Sequence, residues 1–175
     1  MAISANYFFI AIAVVLASIL LFFKPTKLDE PLSQKIEIAE LELRNFTLYE
    51  VGLTGLKDIM VGKEGFRYKN RLEVKEIDYT DSSRKLQNNL KADFGRYNNK
   101  NLITLEGNVR YHREDGVNFV TNKAIIHQHK ETITTVGPFK MDRLYDEVVG
   151  KDLFYDTKKG HSTAKQVTAV FQLKD

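Results

Sequence analysis

The sequence predicts an all-β domain preceded by one N-terminal transmembrane helix. Three observations carry that prediction. The N-terminus is an uncharged run, short segments alternating apolar with polar residues follow it, and turn residues recur at intervals of roughly ten.

Residues 1–23 hold no charged side chain, and twelve of the residues in 7–23 are Leu, Ile, Val or Phe. A helix rises about 1.5 Å per residue, so roughly 20 uncharged residues match a hydrocarbon core of about 30 Å. The segment is apolar on every side, whereas a core helix would carry a polar face. A cleaved signal peptide would start with basic residues and end in small ones. Here no Lys or Arg precedes the run, and Lys24-Pro25-Thr26-Lys27 follows it. Residues 1–23 are therefore expected to be an uncleaved signal-anchor. Residues 24–33, with Pro25 and Pro31 among charges, read as a semi-extended linker. Taken alone, Lys24 and Lys27 favour a cytoplasmic C-terminal portion by the positive-inside bias.

Residues 34–175 have the size of one domain with its own core. All 26 Lys and Arg and all 23 Asp and Glu lie after the run, so this portion is near neutral and densely charged with both signs. That balance gives no strong electrostatic footprint for nucleic acid, which would normally cluster Lys and Arg on one face. With 8 Tyr and 11 Phe over the whole chain, the composition is that of a folded chain. The absence of Cys removes a disulfide framework, a thiolate metal site and a Cys nucleophile together.

Ile36-Glu37-Ile38 and Leu41-Glu42-Leu43-Arg44 alternate with period two, and the change of parity between Ile38 and Leu41 predicts a β-bulge at Ala39-Glu40. Phe46, Leu48 and Val51 extend that strand to Gly52 and Gly55. Phe66-Arg67-Tyr68 follows a predicted turn at Lys63-Glu64-Gly65. Strands are next expected over 72–79 and 90–94. Over 102–112, Ile103, Leu105, Gly107, Val109 and Tyr111 point one way, and Thr104, Glu106, Asn108, Arg110 and His112 the other. Asp115-Gly116 predicts a hairpin turn into a returning strand over 117–127. A strand over 132–139 is broken by Gly137-Pro138, Leu153-Phe154-Tyr155 follows, and Val167, Ala169, Phe171 and Leu173 form the last. So many short strands predict a sandwich, barrel or jelly roll. There is also internal similarity. Ile103-Thr104-Leu105-Glu106-Gly107 resembles Ile133-Thr134-Thr135-Val136-Gly137, and the stretch from Ile77-Asp78-Tyr79 echoes the one from Leu153-Phe154-Tyr155. A repeated strand unit would stack into an elongated roll.

No phosphate-binding loop, dinucleotide-binding glycine pattern or Gly-x-Ser-x-Gly elbow is present, so no enzyme activity and no cofactor are expected. Ser162 beside His161 reads as a polar turn. His127-Gln128-His129 would place two imidazoles on one face of a strand, as cupin-type metal sites do. The glycine and third ligand expected at cupin spacing are replaced by Thr121 and Ile133, so the pair reads as polar residues at a strand end, with no metal. What remains is the apolar face, which by strand parity comprises Phe46, Leu48, Phe66, Ile103, Leu105, Val109, Tyr111, Phe119 and Phe139. Such residues ordinarily fill a core. In an open roll beside a membrane they would line an interior accessible to lipid, while the terminal strands would be free to pair with other sheets.

An N-terminal signal-anchor, a short linker and a domain of this size, with Leu105-Glu106-Gly107-Asn108-Val109 and the stretch from Gly150-Lys151-Asp152-Leu153-Phe154-Tyr155 to His161-Ser162-Thr163-Ala164, resemble the LptC family of lipopolysaccharide-export proteins along essentially the whole chain. The retained anchor favours LptC over its soluble OstA-like relatives. The resemblance implies an elongated twisted β-jellyroll in the periplasm, single-pass in the inner membrane. It also implies lipopolysaccharide received from the transporter of LptB, LptF and LptG and passed to LptA along an apolar interior. The transporter-side edge would then hold Ile36, Ile38, Leu41 and Leu43, and the LptA-side edge Val167, Ala169, Phe171 and Leu173. On orientation the resemblance outweighs two lysines. The competing reading is a membrane-anchored adaptor binding only proteins, with a cupin-like metal enzyme more distant.

Overall fold

A computed structural model describes residues 37–53, 55–83 and 85–172. The predicted anchor and linker lie outside them, and the fold is that of the unit beginning at Ile38. Among the described residues no helix is long and apolar enough to cross a membrane. Ten antiparallel strands form one hydrogen-bonded sheet: β1 (Leu41–Gly52), β2 (Gly55–Tyr68), β3 (Arg71–Asp81), β4 (Asn88–Asn98), β5 (Leu102–Arg113), β6 (Val117–His127), β7 (Thr132–Thr135), β8 (Pro138–Arg143), β9 (Asp146–Asp156) and β10 (His161–Val170). Neighbours in sequence are neighbours in space, except that β7 and β8 share one place between β6 and β9. β1 pairs only with β2 and β10 only with β9, so among the described residues both are edges. This all-β arrangement is consistent with a β-jellyroll.

Residues paired across antiparallel strands share a face, so the register assigns sides. One inward-facing row, buried from Gly95 to Thr135, runs Leu43, Gly65, Val74, Gly95, Leu105, Ala124 and Thr135. A second contains Val109, Thr121, Phe139 and Gly150. In β2, β4 and β6 the two rows meet at Gly62 and Gly65, Ala92 and Gly95, and Thr121 and Ala124, all buried and three positions apart. A flat strand sends such residues to opposite faces, so each strand must bend between them. The bend is written into the backbone of β1, β3, β5, β9 and β10 and of the β7–β8 link. Asn45 (φ 47°), Glu76 (φ 51°), Gly107 (φ 74°), Asn108 (φ 45°), Gly137 (φ 85°), Asp152 (φ 51°) and Gln166 (φ 49°) all take left-handed conformations there. The bend thus crosses the whole sheet, with the hydrophobic core of Ile77, Ala92, Leu105, Val109 and Ala124 in its fold.

The predicted strand over 117–127 coincides with β6, and Asp115-Gly116 is the β5–β6 turn, with Gly116 at φ 89° and its N–H donating to the Arg113 carbonyl at 2.8 Å. Three expectations are corrected. β2 runs straight through Lys63-Glu64-Gly65, because Gly62 and Gly65 are sites where the Phe46 ring lies against bare backbone. The parity slip of the first strand falls at Asn45 instead of Ala39-Glu40, and β1 starts at Leu41. β8 and the first half of β9 form a hairpin that 138–151 did not announce, with Leu144 in the turn at φ 54°.

Candidate functional site

The interior of the bent sheet is deepest at the bend and opens away from it. Leu105, Val109, Ala124 and Phe139 are 3, 2, 5 and 6 % exposed. One step outward, Ile103, Tyr111 and Phe119 are only half-buried, and Leu48 on the β1 edge is 50 % exposed. The row holding Leu48 continues through Met60, Tyr79, Leu90, Tyr111, Phe119, Met141 and Val148 to Ala169. It reaches from one free edge to the other without a charged side chain. At about 4.8 Å per strand its length along the sheet is roughly 38 Å.

Eight of the nine residues expected to share this interior do so. Phe46 lies over Gly62 and Gly65, and Phe139 over Gly150, where an added Cβ would meet the rings at 2.6–2.9 Å. Phe119 stacks on Phe139 with centroids 5.8 Å apart, and the Tyr111 hydroxyl donates to Asn88 Oδ1 at 2.8 Å. Phe66 is the exception. Its row contains Glu42, Glu73, Arg96 and Thr104, which places it on the outer face, with Lys75 Nζ 5.6 Å from its ring. Parity counted across the supposed turn at Lys63-Glu64-Gly65 assigned it to the wrong side.

Of the expected edge residues, Leu41, Leu43, Val167 and Ala169 lie in β1 or β10. Ile38 and Phe171 flank those strands, 83 % and 64 % exposed, while Ile36 and Leu173 are outside the described residues. His127 ends β6, and His129 sits in the following turn with its ring nitrogen against the Asn101 amide.

Sequence reasoning missed the polar residues that hold the bend. Buried Thr121 donates from Oγ1 to the Pro138 carbonyl at 3.0 Å, and buried Thr135 Oγ1 accepts from Leu153 N–H at 2.9 Å. Both satisfy backbone groups freed by the break between β7 and β8. Asp152 Oδ1 accepts from Gly137 N–H at 2.9 Å, and its other oxygen meets Lys165 Nζ at 3.2 Å. The Gly137 bond and then Lys165 hold its carboxyl below the usual range. Near the far end of the interior, burial and the neighbouring Asp81 and Glu50 raise the Asp58 carboxyl. Burial, then the charges of Asp58 and Asp81, push the Tyr79 hydroxyl up to about 12. The central rows of the interior are apolar, with charged groups such as Arg67 at one end and Asp58 and Asp81 at the other, and such a surface is suited to holding alkyl chains.

The family described as "Lipopolysaccharide-assembly, LptC-related" matches residues 9–171, from within the uncharged run to just past β10. No curated protein matches the chain. A match over nearly the full length, on a ten-stranded antiparallel sheet, assigns the chain to the LptC family of lipopolysaccharide-transport components.

Proposed function

We propose that the chain is the link that takes lipopolysaccharide from the inner-membrane transporter of LptB, LptF and LptG and hands it to LptA. In this reading residues 1–23 anchor it in the inner membrane and the sheet, an elongated twisted jellyroll, stands in the periplasm. The observation that carries the reading is the uncharged interior row from Leu48 on β1 to Ala169 on β10, in a chain of this family. Acyl chains gain about 0.8 kcal/mol per CH₂ removed from water, so such a row offsets part of the cost of leaving a bilayer. Free edges at both ends suit addition of partner strands, the transporter at β1 and LptA at β10. No nucleotide-binding motif is present, so the direction of transfer comes from the transporter.

A photo-crosslinker scan over residues 102–127 of the full chain in its membrane tests the path. Lipopolysaccharide adducts are expected at Ile103, Tyr111, Phe119 and Ile126, and not at Thr104, His112 or Val120 on the opposite face. Adducts indifferent to facing, or none, would leave a tethered adaptor for proteins. Protease added to spheroplasts should digest the sheet, and protection until lysis would remove the periplasmic assignment.

A further inference from the structure

Because the strands alternate in direction, the hairpin turns fall into two sets, one at each end of the strands. The β2–β3, β4–β5, β6–β7 and β9–β10 turns lie at the end where β1 begins. These turns, residues 69–70, 99–101, 128–131 and 157–160, carry Lys69, Lys100, Lys130, Lys158 and Lys159 against the single acid Glu131. Lys159 approaches Asp156 at 3.9 Å, while Lys69, Lys100, Lys130 and Lys158 are exposed and have no ion pair among the described residues. Arg67 adds a cation on the interior face at the same end, in the row of Leu41 and Leu72. Among the described residues, the opposite set of turns sets Lys85 against Glu114 and Asp115 and presents Leu53, Leu86, Leu144 and Tyr145, all exposed.

We propose that the cationic turns are a rim that takes the phosphorylated headgroup of the lipid whose acyl chains occupy the interior. The proposal rests on the lipid-conduit reading and deepens it. An amphiphile with its chains among Ile103, Ile126 and Tyr97 must leave its headgroup at a rim, and one rim of the two is cationic. Successive turns on this side are two strands apart, about 10 Å. Lysines so spaced present separated charges, which match a broad headgroup bearing several phosphates better than one small anion. An apolar opposite rim with no excess of cations among the described residues gives that headgroup no competing place. The rim therefore fixes which way the lipid lies across the sheet.

The test uses the full chain, with a photo-crosslinker at Phe119, and compares lipid A with lipid A stripped of its phosphates. Wild type is expected to give half-maximal adduct at a concentration on the order of tenfold lower for the phosphorylated lipid. The variant K69Q/K100Q/K130Q/K158Q should still form adducts but lose that preference. The variant K85Q, at the opposite rim, should keep it. Equal response of wild type to both lipids, or equal loss in K85Q, overturns the rim. Inorganic phosphate that abolishes the preference at fixed ionic strength and millimolar concentration would assign the lysines to a free anion and overturn it as well. Absence of adducts with either lipid is a different failure, that of the conduit, and the rim falls with it.

Discussion

Val109, at the bend, is 2 % exposed, whereas Val51 in β1 and Val167 in β10 are 71 % and 51 % exposed. All three belong to alternating segments of similar composition. Val109 has a strand on each side and lies where the sheet folds onto itself. The other two lie on strands with a partner on one side only. Alternation decides which way a side chain points, and position in the sheet decides whether anything covers it. The bend is where side chains are covered on every side, and the edges are where, among the described residues, strand backbone is left without a second neighbour.

The sharpest way to break that contrast is at Phe139. Truncation to Ala should cost about 3–5 kcal/mol, since the ring fills the space over Gly150 and supports Phe119. A urea midpoint that barely moved would mean the bend is not the core. Gly95→Val comes next, because a Cβ there meets Ile77 Cδ1 at 2.4 Å and Leu105 Cδ2 at 3.3 Å. Overpacking should cost about 1–3 kcal/mol, part of it recovered by adding Ile77→Ala. Additive effects in that double variant would contradict the contact.

Asp58, paired with Glu50 of the β1 edge and Asp81 of β3, gives a smaller effect that depends on pH. Its folded-state pKa is raised, chiefly by burial and then by Asp81. The protonated form is therefore favoured in the folded protein. Its contribution is fully present below the unfolded carboxyl pKa and is lost as pH rises through the folded one. Asp58→Asn should make the chain more stable at about pH 7 with little change at about pH 3, as read from urea midpoints. A variant less stable at neutral pH would reverse the sign. The smallest stability change, within about 0.5 kcal/mol, is expected for Val167→Lys with Phe171→Lys, both exposed. If β10 docks LptA as proposed above, the same pair should sharply reduce co-purification of LptA, because a charged edge resists strand addition. Full recovery of LptA would show that β10 is not its docking strand.

Period-two patterning was enough to read the all-β class and most strands, since it depends on local geometry alone. β6 emerged with its bounds, and Asp115-Gly116 marked its turn because few other residues accept positive φ. The bend was not legible, although its trace was. The similarity of residues 103–107 and 133–137 aligns Ile103 with Ile133 in one row and brings Gly107 and Gly137 to the same bend. Read only as repeated strands, it concealed the left-handed residue that made the two alike. Phe66 was misplaced because a glycine that usually ends a strand here serves as a seat for Phe46. Thr121, Thr135 and Asp152 could not be found from pattern, because each serves backbone groups distant in the chain.

That left-handed residue recurs in β1, β3 and β5, strands that run the same way, so over this part of the sheet each two-strand step carries its own corner. Such a lattice has no preferred length. In the proposed conduit, a strand donated by another molecule at a free edge would continue the sheet as the next hairpin does, and the apolar floor would extend with it. On that proposal, passage between proteins would require no gate to open, only that neighbouring floors be laid in register.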